Sequence, residues 1–116
     1  MNKSNSTPNK IKAKLGLQGV SDPDAAKAFM TSYNGLLNNP KYSNPPVDLA
    51  IYKAGIDQFS TLIIDAEDGG KKAISAKDKQ RIAVSKLYTL LGHYAETACN
   101  DDLATFNTSG FTQQTC

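Results

Sequence analysis

Residues able to do chemistry are scarce in this chain of 116 residues, which holds one His, two Cys and no Trp. A general base or an activated nucleophile at His93 would need a carboxylate or thiol held against the imidazole. Glu96 and Cys99 are the nearest candidates in sequence. Cys99 lies about 600° further round a helix from His93, so the two side chains point to opposite sides. His93 therefore reads as a surface or hydrogen-bonded histidine. Carboxylates are paired at Asp22/Asp24, Glu67/Asp68 and Asp101/Asp102. The first and last pairs stand where helix caps are expected, and the middle pair stands beside a turn. Calcium would need more oxygen ligands in a defined loop, and no EF-hand spacing occurs. Zinc finds no recognised ligand spacing in two Cys and one His. Gly16-Leu17-Gln18-Gly19 matches neither a phosphate loop nor a dinucleotide fingerprint. The reading is a nonenzymatic chain with no metal, no cofactor and no small-molecule substrate.

Phosphate recognition is the competing chemistry. Lys71, Lys72, Lys77, Lys79, Arg81 and Lys86 form a basic run opposed only by Asp78, and Lys3, Lys10, Lys12 and Lys14 make the N-terminus basic. Such a run could lie along a nucleic-acid backbone and bind it in a salt-dependent way. Against this, 13 Lys and Arg face 11 Asp and Glu, leaving a net charge of only +2. The basic blocks flank an acidic stretch holding Asp22, Asp24, Asp48, Asp57, Asp65, Glu67 and Asp68, and Arg81 is the sole arginine for bidentate base contacts. Complementary charge blocks also steer protein partners and fix packing. Aromatic side chains are frequent interface anchors. Tyr42 and Tyr88 read as the surface aromatics, with Ile51 and Ile74 as exposed apolar companions. Together with Lys71, Lys72, Lys79 and Arg81 they form the candidate interaction set.

The elements that would carry these residues are helical. Ser21-Asp22-Pro23-Asp24 is a helix start, with Ser21 or Asp22 as cap and Pro23 in the first turn. Ala26, Phe29, Met30, Tyr33, Leu36 and Leu37 recur at three and four and predict one buried face. Asn38-Asn39-Pro40 ends that helix, and a stiff connection through Pro45-Pro46 follows, with Tyr42 as a possible anchor beneath it. A second helix begins near Pro46 to Asp48, its seam formed by Leu49, Tyr52, Ile56, Phe59, Ile63 and Ala66. Gly69-Gly70 is the next stop. The longest helix runs from about Lys72 to Ala98, with Ala73, Ala76, Ala83, Leu87, Leu90, Leu91, Tyr94 and Ala98 predicted on its inner face and Ile82 and Val84 at the margins. It is longer than the first helix can cover, so its basic beginning should project as a hairpin with the end of helix two, or meet a partner. A short last helix carries Leu103 and Phe106, and Phe111 returns to the core.

The expected fold is all-α, an antiparallel bundle of three main helices plus a short C-terminal one. Residues 1 to 10 read as a flexible polar arm, 11 to 111 as the bundle, and 112 to 116 as a polar tail. No apolar run reaches the ~18 to 20 residues needed to cross a bilayer, and the polar first ten residues contain no secretory h-region. A cytoplasmic location, or a place in an assembled particle, is expected. Cys99 and Cys116 are read as a small buried residue and an exposed terminal one, without a disulfide.

Asp22 to Leu37, Pro45-Pro46, Gly69-Gly70, Leu87 to Tyr94 and the closing Ser109-Gly110-Phe111 carry a family likeness. In this order the chain resembles a group of small, largely uncharacterised helical proteins of Bacteroidetes and neighbouring bacteria over about residues 11 to 111. Members of that group often carry a fibronectin type III domain after the equivalent of the Ser-Gly-Phe turn, a domain expected here to be absent or to have been removed. The resemblance implies an all-helical module used in interaction or assembly and brings no catalytic residues. The expected function is a structural or protein-interaction module that self-associates or binds a protein partner, such as a subunit of a virion, filament or surface layer. A nucleic-acid-associated accessory protein using Lys71 to Lys86 is the alternative.

Overall fold

A computed structural model describes residues 11–114; the expected arm at 1 to 10 and the reading of Cys116 lie outside the described residues. Among the described residues there are three long α-helices and one short one: α1 (Asp22–Leu36), α2 (Leu49–Asp65), α3 (Lys71–Ala98) and α4 (Leu103–Thr108). No strand longer than an isolated bridge occurs among the described residues.

The helix ends follow local chemistry. Ser21 caps α1 by accepting a hydrogen bond from the Asp24 amide at 3.3 Å, with Pro23 in the first turn. Asn38 leaves α1 in the left-handed region at φ 57°, where asparagine is tolerated better than most side chains. Asn39 then caps a single 3-10 turn, Pro40–Tyr42, by accepting from the Lys41 amide at 3.0 Å. Asp48 caps α2 through the Ala50 amide at 2.9 Å. A 3-10 turn at Ala66–Asp68 and Gly69 at φ 79° reverse the chain into α3.

Sixteen hydrophobic residues are buried, and they gather at one end of the molecule. Phe29 of α1 meets the rings of Phe59 of α2 and Tyr88 of α3, with centroids 5.9 and 5.2 Å away. Ser32 of α1 and Tyr52 of α2 share a buried hydroxyl hydrogen bond of 2.7 Å, and the Ser32 hydroxyl also donates to the Phe29 carbonyl. The predicted seam of α2 is buried at Tyr52, Ile56 and Phe59, with Leu49 and Ile63 half-buried against the core. Between 60 and 83, in contrast, no residue is fully buried. The end of α2 and the beginning of α3 therefore extend beyond the core as a thin hairpin.

The inner face of α3 differs in part from the expectation: Leu91 is buried and Leu87, Tyr94 and Ala98 pack against the core as expected, but the face is centred elsewhere. Val84, Tyr88, Leu91, Gly92, Ala95 and Glu96 are buried, whereas Ala83 is exposed and Leu90 is 51 % exposed. Apolar residues surround the second half of this helix, so three-and-four spacing fits either stripe. A chain segment absent from the helical pattern decides between them. Residues 11 to 15 run across α3, and a Cβ at Gly92 would overlap the side chain of Leu15. The inner face must include that glycine, which turns Leu90 outward.

The two ends of the described chain are joined. The Lys14 amide donates to the Thr112 carbonyl and the Gln114 amide to the Lys12 carbonyl, each at 2.7 Å, around an antiparallel bridge between Ala13 and Gln113. Residues 112 to 114, expected as tail, are paired in this way. Before them, the Ser109-Gly110 backbone presses on α1: a Cβ at Gly35 would overlap Ser109, and one at Gly110, at φ 84°, would overlap the Thr31 carbonyl. Such backbone-to-backbone contact is open only to glycine. Phe111 then reaches the core and packs on Tyr88 at 5.0 Å.

Candidate interaction surface

The charged residues separate into those used by the fold and those left to solvent. Asp22, at the start of α1, receives Lys77 Nζ at 2.7 Å on one carboxylate oxygen and Arg81 Nη1 at 2.6 Å on the other. Arg81 Nη2 donates further to the Leu17 carbonyl at 2.8 Å. The Lys77 hydrogen bond, assisted by Arg81 and opposed by desolvation, holds the Asp22 carboxyl below its ordinary value of 3.8. Lys77 is raised in turn, chiefly by its hydrogen bond to Asp22. Asp22 was one of two possible caps; Ser21 takes that role, which frees Asp22 to pair with α3. Two members of the basic run, Lys77 and Arg81, are thereby paired within the fold. Lys71, Lys72, Lys79 and Lys86 remain exposed.

Glu96 is likewise structural. One carboxylate oxygen accepts the Ala13 amide at 2.7 Å and the other lies 3.1 Å from His93 Nδ1. This carboxylate, buried under residues 11 to 15, ties the first described segment to α3. The His93 side chain is 64 % exposed and meets no nucleophile. Cys99 is buried and free, its thiol donating to the Glu96 carbonyl. Among the described residues, no group of three or more His, Cys, Asp or Glu could hold a metal ion.

Two of the candidate interaction residues are corrected by this packing. Tyr42 is 1 % exposed; its hydroxyl donates to the Thr105 carbonyl at 3.3 Å, and its ring meets Tyr94 edge-on at 5.7 Å. Desolvation pushes its phenol up to about 12. Tyr88 is 5 % exposed, enclosed by Phe29, Phe111 and the segment whose Lys14 carbonyl lies 3.5 Å from its hydroxyl. Both tyrosines are core residues because α4, Phe111 and residues 11 to 15 fold back over α3. Ile51 is exposed, as expected, and Ile74 is half-buried without packing on the core.

An open groove of ≈ 960 Å³ lies between α3 and the connection before α1. Leu17 and Val20 form one wall, and Asp78, Ile82, Lys86 and Leu90 form the other. Ile82 is 58 % exposed. Ile82 and Leu90 were absent from the expected interaction set, since helical spacing had assigned Leu90 to the inside. The usable signal was their eight-residue separation, which places both on one row of α3 with Lys86 between them.

These features define an all-helical, bundle-like chain with an uncovered apolar groove. The chain matches no protein-family model, no curated protein and no solved structure. No helix among the described residues is long and apolar enough to cross a membrane.

Proposed function

We propose that this chain is a nonenzymatic protein-interaction module, an antiparallel helical bundle that serves as a subunit of a repetitive assembly. The groove on α3 is the observation that carries the reading. Isolated exposed apolar residues are ordinary, but large ones that line a shared concavity mark contact surfaces. The groups best suited to chemistry support it from the other side: Asp22, Lys77, Arg81 and Glu96 are occupied in holding elements together. Side-chain pairings support the antiparallel order, since Phe29 and Ser32 of α1 meet Phe59 and Tyr52 of α2, a sequence that falls as the other rises. Gly55 of α2 faces Val84 and Gln80 of α3. The family likeness adds an interaction or assembly role to the same reading.

Nucleic-acid association is the second reading, carried by the exposed Lys71, Lys72, Lys79 and Lys86. It is weakened by the internal pairing of Lys77 and Arg81 and by Asp78 among the lysines. Molecular mass measured across protein and salt concentrations, beside a titration with duplex DNA, distinguishes the two. Mass that rises with concentration, together with indifference to DNA, is the expected result. A strictly monomeric chain whose DNA affinity falls steeply with salt would reverse the order of the readings.

A further inference from the structure

The open face of α3 carries a row that is complementary to itself. At successive four-residue steps it reads Asp78, Ile82, Lys86, three residues that line the groove and are neighbours along one ridge of a helix. An apolar residue stands at the centre, with an acid on one side and a base on the other. Turned end to end about Ile82, the row meets itself with Ile82 on Ile82 and Asp78 on Lys86. Both charges are available. Lys86 makes no ion pair among the described residues, and the Asp78 carboxylate is 61 % exposed with a loose 3.5 Å contact to Lys77. Lys77 itself is held closer to Asp22, at 2.7 Å.

We infer that the occupant of the α3 groove is the α3 helix of a second copy of this chain, in a two-fold dimer centred on Ile82. A two-fold interface requires that residue i meet residue j and that j meet i, and Asp78, Ile82 and Lys86 satisfy this condition, with the charges exchanged about the apolar centre. Alignment of the two ridges corresponds to the commonest helix packing, with axes crossing at about 50°. Leu17 and Val20, on the far wall of the groove, would cover the flank of the partner helix. A partner of a different sequence would not require the charges of this row to reverse about its own centre. The inference rests on the interaction-module reading and names its partner. Two crossing helices bury less than the roughly 1,200 to 2,000 Å² of a stable complex, so the dimer belongs in the micromolar to millimolar range of dissociation constants.

A charge exchange tests it on the full chain. In Asp78→Lys both charged positions of the row are basic, and in Lys86→Asp both are acidic, so each variant alone places like charges across the two-fold axis. Each should dimerise about tenfold more weakly than the unmodified chain or worse. An equimolar mixture of the two variants restores opposite charges at both contacts and should recover dimerisation. Sedimentation equilibrium gives the masses, and circular dichroism of each variant checks that the helices persist. Ile82→Asp, at an exposed position, should leave the helices intact and abolish association. A mixture no more associated than its components would overturn the α3 dimer. Self-association that ignores all of these changes would likewise overturn the α3 dimer and leave the interaction-module reading standing. A monomeric chain with salt-sensitive DNA binding would remove both.

Discussion

Asp22 shows how one side chain determines what a whole charge block can do. Its carboxylate joins the start of α1 to Lys77 and Arg81 across the bundle, so part of the basic run is spent on tertiary structure. Its lowered pKa fixes the sign of the pH dependence. The contribution to stability is complete above the unfolded carboxylate value of about 4 and is lost as pH falls through the lower folded value. For Lys77, whose pKa is raised, the contribution is complete below the unfolded lysine value of about 10.4 and is lost as pH rises through the higher folded value. Asp22→Asn should therefore cost about 1 to 2 kcal/mol at neutral pH. Urea unfolding curves of the two proteins should converge as pH falls through the lowered folded value, where the carboxylate becomes protonated in both states. A difference that stays constant as the pH is lowered from 7 through the acid range would assign the loss to packing and not to charge.

At the scale of elements, helix existence and helix starts were legible because they depend on neighbours in sequence. Ser21 and Pro23 occupy the cap and first-turn positions open to them, and α2 starts at Leu49, directly after the expected Pro46 to Asp48. The inner face of α3 and the burial of Tyr42 and Tyr88 were not legible, because they depend on residues far along the chain. Leu15 selects the Gly92 side of α3, and Phe111 and α4 cover the tyrosines. The clasp that holds residues 11 to 15 in place is itself testable. Glu96→Ala leaves the Ala13 amide buried without its acceptor, which should cost about 1 to 3 kcal/mol. Glu96→Gln keeps an acceptor and should cost less. Amide exchange at Ala13, Lys14 and Gln114 should accelerate in the alanine variant first, since these groups lie on the segment that the carboxylate secures.

The whole molecule is divided between a core end and a hairpin that outruns it. α3 has 28 residues and α1 has 15, about 42 and 22 Å at 1.5 Å per residue, so α1 cannot cover the full length of α3. Phe59 of α2 and Val84 of α3 mark where the core ends; between them, through the Gly69-Gly70 turn, no side chain is fully buried. Local stability follows buried contacts. Amides from 62 to 76 should thus exchange about a hundredfold faster than those from 84 to 95 in a dilute sample. Because Ile82 stands uncovered on α3, a second chain seated there supplies apolar cover that α1 is too short to give. Protection in the α3 arm of the hairpin should therefore rise with chain concentration, and the mixed charge variants should recover that rise while neither variant alone does. An arm as protected as the core at low concentration would mean that the hairpin is stable unaided, and the length of α3 would then need another explanation.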